Sequence, residues 1–276
     1  MIVELAPAKL NLALHVRARR ADGYHELETL FAFVADGDQV TLAPAERESF
    51  VVTGPFASSL AQSDDNLVTR AARLFAETVA PVGPLAITLD KRLPVASGIG
   101  GGSADAAATL RALARMSGVA HDDPRLVAAA ERLGSDVPAC LLGLTARGGG
   151  RGERLDPVAG LAGTPVLLVN PLVAVSTAAV FARWDGIDRG PLPAGNAAQV
   201  AAAGRNDLTV PAKLVAPVIG EVIDVLDGLG GARLVRMSGS GATCFALFDT
   251  TADRAAGRAR LSAAYPGWWC LETALT

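Results

Sequence analysis

The sequence predicts an α+β fold in two domains, residues 1–153 and 154–276. Three observations predict it. The first half opens with short apolar runs separated by turn residues, a pattern typical of antiparallel strands. The second half reads strand, helix, two strands, helix, strand, which is the order of a ferredoxin-like unit. Half of the 276 residues are hydrophobic and 19% are charged, which supports a large core and excludes global disorder.

The first domain begins with a predicted antiparallel β meander. Its strands correspond to the apolar runs 2–5, 10–16, 27–34, 40–42 and 50–52, with turns at 21–23 and 36–38. Asp64, Asp65 and Asn66 then cap a helix that runs to about Thr78. A further strand is expected over 85–89.

Two helices follow a glycine-rich segment. They are predicted over 103–117, with Ser103 near the N-cap, and over 124–133, and each ends at a glycine, Gly118 or Gly134. The glycine and arginine stretch 147–154 is interpreted as the approach to the domain boundary.

The second domain supplies the ferredoxin-like order. Strands are expected over 166–169, 233–236, 244–248 and 268–273. Helices are expected over 177–184, over 212–229 with a kink at Pro217, and over 252–264.

Charge and cysteine content limit the partners and the location. The chain has 25 Lys+Arg against 28 Asp+Glu, a net charge of −3 and a pI of about 5.7, which gives no support for nucleic-acid binding. Its three cysteines are far apart and include no C-x-x-C, so we expect no disulfide framework and a reducing compartment.

The mean hydropathy of +0.33 prompts a search for membrane segments. The most apolar stretch, 165–182, is interrupted by Asn170, Pro171, Ser176 and Thr177, so it is too broken to span a bilayer. The N-terminus lacks a basic region before its apolar residues. We therefore expect a cytoplasmic protein with no membrane partner.

The glycine-rich segment is the most informative motif. It comprises Pro94, Val95, Ala96, Ser97, Gly98, Ile99, Gly100, Gly101, Gly102, Ser103 and Ala104. Glycines let backbone N–H groups approach an anion, and a helix N-terminus adds unpaired donors and partial positive charge. No lysine follows as in a Walker A loop, and Ser103 breaks the dinucleotide fingerprint. The alternatives are a flexible turn before a helix and a polyphosphate site, and the glycine density favours the latter.

Other candidate residues are weaker one by one. Lys9 and Asn11 alternate on one face of a strand, either as part of a site or as the solvent face of an edge strand. Tyr24 and His25 sit in a turn and suit either loop packing or stacking on a flat ligand. Asp136 follows a helix stop and suits either catalysis or an N-cap. Residues 237–243 form a glycine turn between two strands, which is explained equally well as a hairpin.

Taken together, these motifs resemble the GHMP kinases. The resemblance is carried by the order P-x-x-x-G-x-G-G-G-S, a lysine in an N-terminal strand, S-D-V-P and a late G-S-G-A-T, and it extends from Pro7 to about Phe248. P-A-K-L-N-L, D-G-Y-H-E and D-N-L-V-x-R-A-A-R-L are similar to the branch that acts on a cytidine diphosphate polyol. The resemblance implies an N-terminal ATP-binding domain like ribosomal protein S5 and a C-terminal ferredoxin-like domain on the substrate side.

The resemblance also implies the chemistry. ATP would place its phosphates over residues 94–104, with Asn66 near the adenine. Lys9 and Asp136 match the catalytic pair, Asp136 being the general base toward the C2 hydroxyl of a methylerythritol. Asn11 would help to place the polyol. The cytosine would be held by Tyr24 and His25 together with Phe181, which falls four residues after Thr177 as in the family.

Magnesium is expected to bridge the phosphates, but no motif identifies its protein ligands, so the metal site stays unknown. Ala96, Ser97 and Ala104 depart from the family pattern, in which glycine and a second serine are common at these places. We expect a monomer or a weak homodimer.

Two other functions compete with this interpretation. A mevalonate or homoserine kinase would share the glycine segment but is not expected to carry D-G-Y-H-E beside P-A-K-L-N-L. A non-catalytic nucleotide- or RNA-binding scaffold is disfavoured by the acidic net charge and by the Lys9 and Asp136 motifs. A hydrolase is disfavoured because the sequence contains neither G-x-S-x-G nor H-E-x-x-H.

Overall fold

The computed structural model describes residues 1–60 and 66–276, so the predicted capping residues Asp64 and Asp65 lie outside the described residues. The chain forms two compact units. Unit 1 comprises Met1–Ala8, Asp36–Val95 and Gly100–Gly143, and unit 2 comprises Lys9–Ala35, Ala96–Ile99 and Leu144–Thr276. Helices and strands occur in each unit, which confirms the α+β class.

Two long strands contribute to both units, β1 (Ile2–Arg19) and β2 (His25–Pro44). The turn predicted at 21–23 is confirmed, with Gly23 in the left-handed region. The turn predicted at 36–38 is wrong, because β2 continues through it. Gly37 serves close packing instead: a Cβ there would lie 2.0 Å from the carbonyl oxygen of Ala6.

Unit 1 contains parts of the two long strands, two short strands and four helices. The strands are the start of β1, the end of β2, β3 (Ser49–Thr53) and β4 (Leu85–Asp90). The helices are α1 (Leu67–Thr78), α2 (Gly101–Ser117), α3 (Pro124–Leu133) and α4 (Val137–Leu142). A 3-10 turn covers Ala57–Ser59.

The pairing in unit 1 departs from the predicted meander. β4 pairs antiparallel with residues 39–44 of β2, but β3 pairs parallel with β4. Helix α1 buries Val68, Ala71, Leu74 and Phe75, an apolar stripe at helical spacing, and it packs against α2.

The strands and helices of unit 2 complete the chain. Its strands, besides parts of β1 and β2, are β5 (Ala146–Gly150), β6 (Arg154–Pro157), β7 (Pro165–Asn170), β8 (Ala232–Met237), β9 (Cys244–Phe248) and β10 (Trp269–Ala274). Its helices are α5 (Thr177–Ala182), α6 (Ala197–Ala203), α7 (Thr209–Val215), α8 (Val218–Asp227) and α9 (Thr251–Ala264).

A four-stranded antiparallel sheet in the order β10-β7-β9-β8 forms the centre of unit 2. This order confirms the predicted ferredoxin-like unit. β7 and β9 are fully buried, as expected for the central strands of a sheet that is covered by helices.

Three local predictions in unit 2 need correction. Pro217 does not kink one helix but separates α7 from α8, because proline cannot donate the backbone hydrogen bond that would continue the first helix. Helix α5 ends at Ala182 rather than at Trp184. Helix α6 was not predicted, although Asn196 and Gln199 form its capping box.

The remaining expectations concern cross-links and membranes. The stretch 147–154 comprises most of β5, the turn after it and the first residue of β6, which pairs antiparallel with β5. No disulfide joins the three cysteines, all of which belong to the described chain. Among residues 1–60 and 66–276, no helix has the length and apolar character needed to cross a membrane.

Candidate active site

The candidate residues occur in both units, and each set is described within its own unit. Unit 2 contains Lys9, Asn11, Tyr24, His25, Ala96, Ser97, Gly98, Ile99, Thr177 and Phe181. Unit 1 contains Asn66, Pro94, Val95, Gly100, Gly101, Gly102, Ser103, Ala104 and Asp136.

Lys9 and Asn11 lie on the same face of β1, as predicted. The Nζ of Lys9 donates to Oδ1 of Asn11 at 2.9 Å, and it lies 5.4 Å from the ring centroid of Phe31. The two polar side chains are 3% and 2% exposed, so the alternative of a solvent-facing edge strand is wrong. A buried ammonium and carboxamide on one strand point to a site.

A hydrogen-bond chain fixes the carboxamide of Asn11. Its Nδ2 donates to Thr29 Oγ1 at 2.8 Å, and that hydroxyl donates to the carbonyl of Ala13 at 2.6 Å. The backbone N–H of Asn11 donates to Ser238 Oγ at 3.2 Å. Sequence reasoning missed Thr29 and did not include Ser238 among the site residues, although the glycine turn 237–243 gave a signal for the latter.

The unit 2 part of the glycine-rich segment packs on this late glycine turn. Ser238 Oγ donates to Gly98 O at 3.0 Å, Thr243 N donates to Ser97 O at 3.0 Å, and Lys9 N donates to Ile99 O at 2.9 Å. Gly98 has φ +79°, and a Cβ there would lie 2.6 Å from the carbonyl of Ser238. The turn at 237–243 is therefore a support for the glycine segment, beyond a simple hairpin.

Ala96 occupies a strained position within the same segment. Its φ is +51°, in the left-handed region that glycine adopts without cost and alanine does not. The departure from glycine noted in the sequence thus falls at a place where the backbone conformation favours glycine.

An aromatic cluster surrounds His25. Its ring lies 4.7 Å from the ring centroid of Phe181 and contacts Trp184 edge to face at 5.6 Å. Burial, together with the nearby Arg19 guanidinium, lowers the pKa of His25. The structure thus brings together His25 and Phe181, as predicted, and adds Trp184, which the sequence did not single out.

Tyr24 and Thr177 lie at the surface of unit 2. The Tyr24 ring is 52% exposed and has the Arg151 guanidinium 4.9 Å from its centroid. The hydroxyl of Thr177 shares a 2.9 Å hydrogen bond with Ser240 of the glycine turn. An exposed aromatic face beside a cation suits stacking on a planar ligand.

Helix α2 in unit 1 begins two residues earlier than predicted, at Gly101. The N-cap is Gly100, with φ +66°, rather than Ser103, and the first helical hydrogen bond runs from Ala104 N to Gly100 O at 2.8 Å. The N–H groups of Gly101, Gly102 and Ser103 therefore belong to the first turn, whose donors have no partners within a helix. This 17-residue helix presents the positive end of its dipole there, which suits a phosphate.

A buried charged cluster lies beneath that first turn. The Nζ of Lys91 donates to Asp38 and, at 2.7 Å, to Asp105. Burial raises the pKa of Asp105 to about 7, an effect that Lys91 opposes and Asp38 reinforces. Although burial disfavours its ammonium form, the two carboxylates raise the pKa of Lys91.

Asn66 caps helix α1, and its Oδ1 accepts from Val68 N at 2.8 Å. The next residue, Leu67, lies 3.4 Å from where a Cβ on Gly102 would be. The N-termini of α1 and α2 are thus neighbours within unit 1. Asn66 therefore lies on the same side of the unit as the glycines that begin α2.

Asp136 precedes helix α4 and is half-buried. Asp136 occupies the N-cap position of α4, as the alternative explanation predicted, but its side chain makes no capping hydrogen bond to that helix. Arg111 of α2 donates to the carbonyl of Cys140 at 2.7 Å, and this hydrogen bond connects α4 to α2.

No group of three or more His, Cys, Asp or Glu side chains suited to a metal is found across residues 1–60 and 66–276. These side-chain types therefore form no cage for a metal ion within the described residues. A metal that enters bound to phosphates needs no such cage.

Comparisons with known proteins agree with this geometry. The family model described as GHMP kinases N terminal domain matches residues 66–144, and the model described as GHMP kinases C terminal matches residues 192–267. The chain is similar to the 4-diphosphocytidyl-2-C-methyl-D-erythritol kinase of Rhizorhabdus wittichii, with 56% identity over 99% of this chain and 94% of that protein. It is 53% identical to the protein of the same name from Sphingopyxis alaskensis, over 97% and 96% of the two chains.

Solved structures give the same picture. A crystal structure of 4-(cytidine 5'-diphospho)-2C-methyl-D-erythritol kinase matches with a TM-score of 0.85 and 36% identity over 99% of each chain. A homoserine kinase from Cytophaga hutchinsonii matches with a TM-score of 0.70 over 98% and 93% of the chains, but at 17% identity, and shows the fold alone.

Proposed function

Because the chain belongs to the 4-diphosphocytidyl-2-C-methyl-D-erythritol kinase family of the GHMP kinases, we propose that it transfers the γ-phosphoryl group of ATP to the C2 hydroxyl of 4-diphosphocytidyl-2-C-methyl-D-erythritol. The product is the 2-phosphate, an intermediate of the non-mevalonate route to isoprenoid precursors. The observation that carries this is the 56% identity to such a kinase over 99% of the chain. Homoserine and mevalonate kinases are more distant, at 12–17% identity.

Lys9 and Asp136 are the proposed catalytic pair. Phosphoryl transfer passes through a loose transition state, so charge stabilisation and positioning matter more than base strength. The Asp136 carboxylate accepts the proton of the C2 hydroxyl late in the reaction, for which a weak base suffices. The Lys9 ammonium stabilises negative charge on the reacting oxygens. Its hydrogen bond to Asn11, which has a neutral side chain, supports this role.

ATP is assigned to the glycine-rich residues 94–104, with Asn66 near the adenine. Two features support the assignment: the glycine start of helix α2, and the packing of residues 96–99 on the late glycine turn. Backbone N–H groups there donate to phosphate oxygens, and the positive end of the helix dipole adds to the attraction.

The cytidine end of the acceptor is assigned to Tyr24, His25 and Phe181, with Thr177 nearby and Asn11 toward the polyol. The lowered pKa of His25 keeps its imidazole neutral near pH 7, so one ring nitrogen accepts and the other donates, as the polar edge of a cytosine requires. The ring contact between His25 and Phe181 supports a common role for the two side chains.

Magnesium is proposed to enter with ATP, bound to its phosphates. Phosphate oxygens and water would supply part of its coordination, and its protein ligands stay unassigned. When bound, the ion neutralises phosphate charge and so eases transfer of the γ-phosphoryl group.

We further propose a cytoplasmic enzyme that acts as a monomer or a weak homodimer and binds no nucleic acid, in keeping with its net charge of −3. Residues 1–153 are proposed as the ATP-binding domain and 154–276 as the substrate-side domain.

Release of ADP with different acceptors tests this function. The purified chain is given MgATP and, separately, 4-diphosphocytidyl-2-C-methyl-D-erythritol, mevalonate or homoserine, and ADP is measured with a coupled assay. We expect turnover with the cytidine compound only. Turnover with mevalonate or homoserine in its place would overturn the proposal, and ATP binding without turnover of any acceptor would favour the non-catalytic scaffold.

A further inference from the structure

Three charged side chains are buried together beneath the first turn of helix α2, and the proposed phosphoryl transfer uses none of them. Lys91, Asp38 and Asp105 are 2%, 0% and 2% exposed. Desolvation offsets much of the attraction in such a cluster, so apolar packing of the same volume is often as stable. The cluster therefore calls for an explanation other than stability.

Asp38 connects the cluster to the chain that leads into the glycine segment. Its Oδ1 accepts from the backbone N–H of Arg92 at 2.6 Å and from that of Leu93 at 2.8 Å. Leu93 immediately precedes Pro94, the first residue assigned to the ATP phosphates. The buried carboxylate of Asp38 thus accepts three hydrogen bonds, including the one from Lys91, and they fix the backbone just before the glycine-rich segment.

Asp105 connects the cluster to the helix itself. It belongs to α2, which begins at Gly101, and its Oδ2 accepts from Lys91 at 2.7 Å. The ammonium lies directly under the start of the helix, because a Cβ on Gly101 would be 3.1 Å from Lys91 Nζ. Lys91 thus joins the strand β2, the approach to the glycine segment and the first turn of α2.

We propose that Lys91, held between Asp38 and Asp105, is a positioning residue for ATP: it fixes the first turn of α2 so that the N–H groups of Gly101, Gly102 and Ser103 point to the phosphates. This inference rests on the proposed function in that it takes these donors to be the phosphate site. In this role the Lys91 side chain acts through the turn that it supports. Displacement of the turn by a fraction of an ångström misdirects several donors at once.

Asp105 variants test the proposal, because removal of Lys91 would leave two buried carboxylates without their shared partner. Asp105→Ala removes the link between Lys91 and α2. Asp105→Asn keeps an acceptor of the same shape. Asp105→Glu keeps the charge but moves the carboxylate by one methylene, and it is available if the alanine variant does not fold.

A matched control breaks an ion pair elsewhere on the same helix. Glu4 accepts from Arg111 at 2.8 Å and from Arg115 at 2.9 Å, at positions farther along α2. Glu4→Ala removes two partly exposed ion pairs, so it should lower the unfolding temperature slightly without disturbing the first turn.

The dissociation constant for MgATP, measured by calorimetry with no acceptor present, is the primary readout. We expect Asp105→Ala and Asp105→Glu to weaken ATP by about 10-fold or more, the scale at which displaced supporting groups act on a site. Asp105→Asn should stay within about threefold and Glu4→Ala within about twofold.

Two results overturn the inference: ATP affinity of Asp105→Glu within twofold of the wild type, or equal weakening by Glu4→Ala. Because no acceptor is present, an error in the proposed acceptor leaves these results unchanged and shows only in the ADP-release assay. In that assay the KM for ATP should rise in Asp105→Glu while the KM for the cytidine substrate does not.

Discussion

The Lys9 ammonium donates to the carboxamide oxygen of Asn11 at 2.9 Å, two residues apart on strand β1 and with both side chains buried. Asn11 orients this ammonium without neutralising it, since a carboxamide carries no charge. The opposite end of the carboxamide is fixed by Thr29 Oγ1 at 2.8 Å. The carboxamide thus fixes the position of the ammonium and adds no negative charge of its own.

Replacement of that carboxamide by a carboxylate tests the point. Asn11→Asp places a negative charge against Lys9 and removes the donor to Thr29, so we expect kcat to fall by about 10²-fold, the scale of one lost electrostatic contact to a transition state. Steady-state kinetics with varied ATP and acceptor measure it. Asn196→Asp, at the N-cap of α6, is the matched control and should be silent because aspartate also caps helices. A kcat within threefold of the wild type would contradict the role of Lys9.

Loss of the proposed base affects a different quantity. Asp136→Asn keeps the shape of the side chain and removes its ability to accept the hydroxyl proton, so kcat should fall by about 10²–10⁴-fold. ATP affinity, measured by calorimetry, should stay near that of the wild type. The exposed Asp122→Asn serves as control. Activity within a few-fold of the wild type would remove Asp136 from the base role.

The two tyrosines of the chain allow a matched test of cytidine stacking. Tyr24→Ala should weaken the cytidine substrate by about 1–3 kcal/mol, the contribution of one base stacked on an aromatic ring, with the KM for ATP unchanged. Tyr265 stacks on Trp268 at 4.0 Å, so Tyr265→Ala should lower stability and leave both KM values intact. A rise in the KM for ATP alone in Tyr24→Ala would show that this loop is wrongly assigned.

Much of this fold was predictable because local signals and tertiary packing agree. The Asn66 cap, the Gly118 helix end and the ferredoxin-like strand order all follow from sequence patterns. The turn predicted at 36–38 failed for a tertiary reason. Gly37 is required by the closeness of Ala6, and Asp38 by the buried Lys91, and neither partner is visible in the local sequence.

The same limit applies to the candidate residues. Same-face alternation predicted the pairing of Lys9 with Asn11, and the family motifs predicted His25 with Phe181. Thr29 was missed because one threonine in a strand carries no distinguishing pattern. Its role depends on a contact between β1 and β2 that only the folded chain supplies.

The Asp105 carboxyl should make stability depend on pH in a direction opposite to that of an ordinary aspartate. Its pKa is raised from 3.8 to about 7 by burial, so between these values the folded state binds a proton that the unfolded state has released. The free energy of unfolding from this group therefore falls as pH rises from about 4 to 7, by up to about 1.4 kcal/mol per pH unit.

Denaturant unfolding of wild type and Asp105→Asn at several pH values measures this contribution. The relevant quantity is the difference in the free energy of unfolding between the two proteins, because His15 and His25 also make stability depend on pH. Burial lowers the pKa of both imidazoles, so their contribution to stability falls as pH falls below 6.5, which is opposite in sign to that of Asp105. The stability advantage of Asp105→Asn should grow from pH 4 to 7. A constant difference would show that Asp105 is ionised throughout.

Exchange of alanine and glycine should have opposite effects on stability at positions 96 and 98 of the glycine-rich segment. Ala96 has φ +51°, so Ala96→Gly relieves about 1–2 kcal/mol of left-handed strain. The glycine also increases the conformational entropy of the unfolded chain, which destabilises the folded state by about 0.4–1 kcal/mol. A small net gain in stability is expected.

Gly98→Ala places a Cβ 2.6 Å from the Ser238 carbonyl at φ +79°, so the free energy of unfolding should fall by roughly 2 kcal/mol or more. Thermal and denaturant unfolding measure both. The carbonyl of Gly98 also accepts from Ser238 Oγ, so a displaced backbone at residue 98 should weaken ATP binding. Ala96→Gly should leave ATP binding unchanged. Equal effects of the two variants on stability and on ATP binding would mean that the segment has no preferred conformation.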